Sequence, residues 1–267
     1  MVRLAAFLTF VVLAGAPVRA EMVADLYRGE AIVTGRDNLD ERNRGLRLAL
    51  TRVLVKVGGD DRVADHPMLP PMLADAHAQV RHIEYEDRKK GNQISDEQGT
   101  RDRSFHLRVD FDPAGVDGIL ERLGLRPWQP DRPRLLVMLA VTDHTGPFVV
   151  GTDAGRGIGQ REALLLDASR RGLPLVLPKM DAVETVAVGY REVAATSGVT
   201  IGALASAYAA DAVLAGAMTI TADGAWNTDW TLLADDMPVR WRVSDVTFER
   251  SIGAALGRAV RILADSP

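Results

Sequence analysis

The segment GTDAGRGIGQREALLLDA, Gly151–Ala168, carries glycines at a spacing that could hold a phosphate. It follows the apolar strand candidate RLLVMLAV, Arg134–Val141, and leads into a helix candidate. A strand, a glycine-rich turn and a helix form a common phosphate site, because backbone N–H groups at the helix N-terminus face the anion. The segment therefore raises the question of whether the chain binds a nucleotide.

The exact spacing of these glycines argues against a nucleotide site. The glycines from Gly155 to Gly159 read G-x-G-x-G, whereas a dinucleotide fingerprint requires its last glycine at the position of Gln160. The strand candidate also ends well before them, so the tight turn between strand and helix is missing. A P-loop would require a lysine followed by serine or threonine, where this chain has Gln160 and Arg161. We predict no nucleotide and no other cofactor.

A surface loop is the simpler interpretation of residues Thr142–Gln160. Arg156 and Arg161 lie in or beside this loop, near the start of the helix candidate. Their guanidinium groups could contact an anion or a carboxylate of a partner. We therefore take Arg156 and Arg161 as candidate binding residues, and the polar segment Lys89–Thr100 as a second candidate contact loop.

The histidines do not form a recognisable catalytic or metal-binding motif. None is spaced H-x-x-x-H, and only His82 and His106 lie on neighbouring strand candidates where they could approach each other. A solvated strand face explains His106 equally well. The chain also lacks a G-x-S-x-G elbow and an S-x-x-K motif in a sensible context. We predict no metal and assign no catalytic residue.

Two tryptophans share one face of the strand candidate AWNTDWTLL. Trp226 and Trp230 could form an exposed platform that stacks on sugar rings. Alternatively they belong to a core beneath the last helix candidate, since large aromatic side chains dominate burial. We favour the core interpretation and keep Trp226 and Trp230 as candidate binding residues for a glycan or another solute.

The N-terminal residues 1–20, MVRLAAFLTFVVLAGAPVRA, read as a secretory signal peptide. The apolar run is shorter than the about 20 residues needed to span a bilayer, and small residues precede a cleavage point between Ala20 and Glu21. The chain has no cysteine, which excludes lipidation, disulfides and thiolate metal sites. These features predict a soluble periplasmic protein without a membrane anchor after cleavage.

The charges exclude some classes of partner. The net charge is -4, and acidic and basic residues are interspersed without a long block of one sign. Nucleic acid and anionic membrane are therefore not expected as the main partners. A hydrophobic content of 47% is enough for packed cores, and the length favours two modest domains.

The first predicted domain, residues 21–126, has the element order β-α-(α)-β-β-α. A strand over Met22–Gly35 precedes a helix that Asp37 or Asn38 caps and that carries an apolar stripe from Leu46 to Val57. The segment RSFHLRVDF alternates apolar and polar residues, which predicts a half-exposed strand. Asp112 and Pro113 then begin the last helix.

The second predicted domain, residues 134–267, follows a proline-rich linker at residues 127–133. It holds the strand 134–141, a helix near 160–171, a short strand LPLVLP, a helix near 201–209, three further strands and a terminal helix near 248–264. The predicted fold class is α/β (α+β), with two small mixed-sheet domains whose helices pack on the sheets.

The segments ALTRVLVKVGGD, RLLVMLAV, REALLLDASRRGLPLVLPKMD and AYAADAVLAGAM, in this order, resemble the bacterial domain of unknown function 2066 family. The resemblance covers residues 24–262. It implies an exported protein of unknown biochemical role and supplies no catalytic residues.

Without a coherent catalytic set, we expect a non-enzymatic adaptor or accessory factor that binds another cell-envelope protein. A periplasmic hydrolase with a dispersed active site, or a glycan- or solute-binding module, is the alternative.

Overall fold

The computed structural model describes residues 21–23, 25–87, 104–196, 198–234 and 237–265. The predicted signal peptide and the candidate loop Lys89–Thr100 lie outside these residues. Among the described residues, no helix combines the length and the apolar character needed to cross a membrane.

The chain folds as an α+β protein with two separate main sheets, which confirms the predicted class. Helices α1 to α8 span Leu39–Gly58, Leu69–Ala74, Pro113–Arg122, Ile158–Arg170, Ala182–Ala187, Tyr190–Ala194, Gly198–Ala207 and Phe248–Asp265. Short 3₁₀ turns span Asp61–Asp65 and Ala76–Gln79. Strands β1 to β11 span Glu21–Met22, Arg28–Thr34, Val80–Asp87, Ser104–Phe111, Asp131–Arg132, Leu135–Asp143, Gly146–Val149, Leu175–Val176, Ala212–Ile220, Trp226–Leu233 and Val239–Asp245.

The first sheet has the order β2-β4-β3 and is antiparallel throughout. Alternate residues of β2 are buried and exposed, so one face packs on helices and the other faces solvent. Helix α1 covers the inner face with the predicted stripe from Leu46 to Val57, and α3 packs beside it. Asn38, rather than Asp37, caps α1 by accepting hydrogen bonds from the N–H groups of Asp40 and Glu41.

The second sheet has the order β11-β10-β9-β6-β7, with β8 also paired to β6. Strand β6 runs parallel to β9 and β8, and the other pairs are antiparallel, so only this sheet is mixed. Helices α4 and α8 cover one face. The shorter helices α6 and α7 cover part of the other, which makes three layers.

Several sequence predictions need correction in this fold. The strand predicted over Met22–Gly35 divides into β1 and β2, because a turn with Asp25 at φ 54° separates them. The loop predicted over Thr142–Gln160 contains the end of β6, all of β7 and the first residues of α4. Helices α5 and α6 were not predicted, because each has too few residues to show a helical repeat of apolar positions.

Candidate functional site

A cavity of about 540 Å³ lies in a cleft between the two sheet-bearing halves of the chain, which we call the junction cleft. The end of α1 and the following 3₁₀ turn form one wall, the segment 124–129 forms a second, and the end of α8 forms a third. Its lining residues are Gly58, Asp60, Arg62, Gly124, Leu125, Arg126, Pro127, Trp128, Gln129, Val260, Arg261, Ala264 and Asp265.

The floor of the junction cleft is the buried ring of Trp128, which lies in the segment predicted as a linker. Its backbone N–H donates to the Val57 carbonyl at 2.9 Å, and its side chain belongs to the core of the second half. Gly59, at φ 69°, leaves room for the ring, because a Cβ there would lie 2.8 Å from Trp128 Cε3. The proline-rich segment is therefore packed into both halves.

Arg132 belongs to the same proline-rich segment, and its side chain is completely buried. Its guanidinium donates hydrogen bonds of 2.8 to 3.2 Å to six carbonyl oxygens, those of Lys56, Val57, Trp128, Gln129, Arg171 and Gly172. These carbonyls include the last turn of α1 and the residues after α4, so the negative ends of two helix dipoles face one cation. Burial lowers the pKa of Arg132 to about 10, which keeps it charged at neutral pH.

Arg171 forms a second buried connection between the halves. Its Nη2 donates to Asp61 Oδ2 at 2.7 Å, and its Nε donates to Asp167 Oδ2 at 2.7 Å. Although burial alone lowers the pKa of Arg171, the two carboxylates outweigh it and raise that pKa above its ordinary value. Asp61 belongs to the first half and Asp167 to α4, so this ion pair network joins the two.

Charge at the rim of the junction cleft is mainly positive, with three arginines against two aspartates. Arg62 forms a two-pronged pair with Asp60, at 2.5 Å from Nη2 to Oδ2, and Arg261 Nη1 lies 3.9 Å from the same carboxylate. Although burial alone raises the pKa of Asp60, the hydrogen bonds from Arg62 lower it overall, so this carboxylate stays ionised. Asp60 is thus shared by two arginines.

Arg126 is the arginine of the junction cleft that has no carboxylate partner among the described residues. Arg126 is exposed, and Trp128 and Arg261 belong to the same cleft lining. A guanidinium in this position can bind a carboxylate or another anion through two parallel hydrogen bonds.

The arginines predicted from the sequence are placed elsewhere, and their side chains have partners within the same segment. Arg156 Nη2 donates to Asp143 Oδ1 at 2.9 Å, and its guanidinium lies 4.2 Å from the centre of the Phe148 ring. Arg161 Nη1 donates to the Gly151 carbonyl at 2.8 Å. Both arginines therefore hold the β7–α4 connection together. Their role in binding an anion stays a prediction.

The candidate tryptophans lie in the core of the second half. Trp226 and Trp230 are 9% and 1% exposed, and both pack below α8, as the core interpretation predicts. The alternative of an exposed platform at these residues is wrong, because a sugar ring requires an accessible aromatic face.

The two histidines considered as possible ligands are not brought together. His82 lies opposite Asp110 and His106 lies opposite Glu86, so they are separated along the β3–β4 ladder. No three side chains of His, Asp or Glu in the described part of the chain converge as a metal site requires. Strand β7 also separates β6 from α4, so the chain does not form the compact strand–turn–helix arrangement of a phosphate cradle.

Sequence reasoning missed the junction cleft because its charged residues are distant in the chain and belong to no motif. One signal was available: a tryptophan and an arginine, Trp128 and Arg132, stand in the segment 127–133 that otherwise reads as a linker, directly after Arg126. Large aromatic residues are seldom left in free linkers.

Comparison with known proteins finds one family model for the first half. Residues 20–129 match a Domain of unknown function (DUF8605), which covers fewer than half of the residues of the chain. No curated protein matches the chain. The match ends at Gln129, within the wall of the junction cleft. The chain therefore contains a region similar to an uncharacterised domain.

Proposed function

We propose that this chain is a non-enzymatic accessory protein that binds an acidic segment of another cell-envelope protein in the junction cleft. The observation that carries the proposal is the position of Arg126, an exposed arginine in the lining of the junction cleft that has no carboxylate partner among the described residues. Electrostatic complementarity at such a rim guides encounter and selects the partner. Arg62 and Arg261, which share Asp60, extend the positive rim.

The packing of the cleft floor supports a role in recognition. Arg132 bonds the last turn of α1 and the residues after the end of α4, and Arg171 bonds Asp61 and the Gly253 carbonyl of α8, so buried contacts connect the elements behind the cleft. A preformed binding surface avoids the entropy cost of ordering flexible groups when a partner binds.

The periplasm is the compartment that we propose for this function. Residues 1–20 have the pattern of a signal peptide, and the matched domain begins at residue 20, beside the predicted cleavage point. Membership of the domain of unknown function 2066 family is likewise a proposal, supported by the order of four sequence segments. Neither the hydrolase nor the glycan-binding alternative has a supporting contact among the described residues.

A charge reversal at Arg126 tests the binding role directly. The probe is a fluorescein-labelled poly-glutamate peptide, titrated with the mature protein while its anisotropy is measured at low salt. We expect Arg126→Glu to weaken binding about tenfold, because a repulsive charge replaces an attractive one at the rim. The matched control is Arg191→Glu, which makes the same charge change on an exposed residue of α6.

The same titration can overturn the proposal. Equal affinity of the wild-type protein and the Arg126→Glu variant would show that the acidic peptide does not use the junction cleft. Equal weakening by Arg126→Glu and Arg191→Glu would show an effect of net charge alone. Absence of binding by the wild-type protein would remove the proposed ligand class.

A further inference from the structure

Strand β11, Val239–Asp245, is the outer strand at one end of the second sheet, and its outer edge has no protein partner among the described residues. A free edge presents a row of unpaired N–H and C=O groups, which can pair with a strand of another molecule. Proteins normally protect such edges, so an unprotected edge indicates a binding surface.

Two other outer strands of this molecule are protected by side chains. The outward carbonyls of Arg28, Glu30 and Ile32 on β2 accept hydrogen bonds from Lys56, Arg52 and Arg44 of α1, at 2.7 to 2.8 Å. At the other end of the second sheet, β7 contains Pro147, which has no N–H, and Arg156 donates to the carbonyls of Gly146 and Pro147. No side chain in the described residues forms such a bond to β11.

The side chains of β11 define what kind of strand would fit beside it. Val239, Trp241 and Val243 lie on the face that packs below α8, and Arg240, Arg242 and Ser244 lie on the opposite, exposed face. Arg242 pairs with Asp229 at 2.7 Å, whereas Arg240 has no carboxylate partner in the described part of the chain. Arg258 of α8 adds a second cation above the Trp241 ring, 5.2 Å from its centre.

The residues at the two ends of β11 are apolar and exposed. Met237, which precedes β11, and Val246, which follows it, are 78% and 66% exposed. Exposed apolar side chains at both ends of a free edge can pack against an added strand. The edge therefore combines open backbone groups, one arginine without a carboxylate partner among the described residues, Arg240, and apolar residues at both ends.

A second copy of the chain does not fit this edge well. If two copies of β11 paired in antiparallel fashion about Trp241, Arg240 of each copy would lie opposite Arg242 of the other. If they paired about Arg242, the two Arg242 side chains would face each other. Like charges directly opposite each other destabilise a strand pair.

We propose that β11 binds, by strand addition, an extended segment of another protein in which acidic residues alternate with apolar ones. The acidic side chains lie beside Arg240, and the apolar ones continue the face of Val239 and Val243. Backbone hydrogen bonds supply affinity, and the alternating side chains supply specificity. This surface is separate from the junction cleft, whose lining contains no residue of β11.

A blocked, fluorescein-labelled peptide of alternating valine and glutamate is the probe for this site. We expect the full mature protein to bind it, and a matched valine–lysine peptide to bind at least about tenfold more weakly. Arg240→Glu should weaken the valine–glutamate peptide about tenfold, whereas the control Arg191→Glu should leave its affinity unchanged. Hydrogen exchange at saturating peptide should slow in residues 239–245.

Several outcomes would overturn the assignment. These are absence of binding, equal binding of the valine–lysine peptide, and unchanged affinity in the Arg240→Glu variant. Exchange protection confined to residues outside β11 would also overturn it. Loss of binding in Arg126→Glu but not in Arg240→Glu would place the peptide in the junction cleft, which would contradict the edge assignment and leave the proposed function standing.

Discussion

Arg132 shows how one buried residue can hold a junction together without a carboxylate partner. Its planar guanidinium has five N–H groups, and all of its nitrogens donate to backbone carbonyls from both halves of the chain. The ring of Trp128 lies 4.3 Å from the guanidinium carbon and excludes water from one side. Because each donor is used, a residue with fewer donors must leave carbonyls unsatisfied.

Replacing Arg132 with lysine should therefore destabilise the protein. A lysine ammonium has three donors in a compact group, so it cannot reach all the carbonyls that Arg132 binds. We expect Arg132→Lys to lower the free energy of unfolding by about 3 kcal/mol, measured by urea denaturation. The control is Arg170→Lys at a neighbouring, mainly exposed arginine, which should change it by less than about 0.5 kcal/mol. Similar small losses in both variants would contradict this account.

Glu41 provides a pH-dependent contact at the start of α1. Hydrogen bonds from Arg44, and next from the Thr34 N–H, lower the pKa of Glu41 from 4.5 to about 2. A lowered pKa in the folded state contributes stability above the unfolded value, and this contribution is lost as the pH falls from about 4.5 to about 2. We expect Glu41→Gln to reduce the fall in the urea midpoint between pH 6 and pH 3, by comparison with the wild-type protein.

An exposed glutamate of α3 serves as the control for this pH effect. Glu121→Gln removes a carboxylate that accepts no hydrogen bond from another described side chain. The pH profile of this variant should follow that of the wild-type protein. A Glu41→Gln profile that also follows the wild type would show that the contact with Arg44 does not contribute to acid sensitivity.

At the scale of elements, the sequence predicts best the segments whose apolar residues repeat regularly. The stripe of α1, the alternation of β4 and the terminal helix α8 appear as predicted, because each packs on a core. The Thr142–Gln160 segment was misinterpreted, since β7 is a short outer strand with Pro147 and little apolar alternation. The junction cleft was missed because Asp60, Arg126 and Arg261 converge only after both halves have folded.

The protection of β2 by α1 gives a prediction about aggregation. Arg44 and Arg52 bind the carbonyls of Ile32 and Glu30, so they cover part of an edge that would otherwise be open to another strand. We expect the double variant Arg44→Ala, Arg52→Ala to form more oligomers than the wild type at the same concentration, measured by size-exclusion chromatography with light scattering.

A variant of the same helix controls for the loss of positive charge. Arg47 lies on α1, is exposed, and has no side-chain bond to β2. We expect Arg47→Ala to remain as monomeric as the wild type. Oligomers of the same amount in Arg47→Ala would show that the loss of a surface arginine of α1, rather than the uncovered edge, causes the association.

At the scale of the whole molecule, the two halves pack against a shared junction and are not two domains joined only by a linker. The segment between the sheets contributes Trp128 to the second core, while Arg132 and Arg171 bind groups of both halves. This arrangement places three arginines around one cleft. Strand β11 lies at a different surface, an open sheet edge. Each surface has an arginine without a carboxylate partner among the described residues, Arg126 at the cleft and Arg240 at the edge, and the proposed function uses only the cleft.

The most direct test of the central claim is in-cell crosslinking of the tagged protein, followed by mass spectrometry of the captured proteins. The wild type and Arg191→Glu should capture the same envelope protein reproducibly, and Arg126→Glu should capture about tenfold less of it. Equal capture by the wild type and Arg126→Glu, or capture of background proteins alone by every variant, would contradict the proposal that the junction cleft binds a partner.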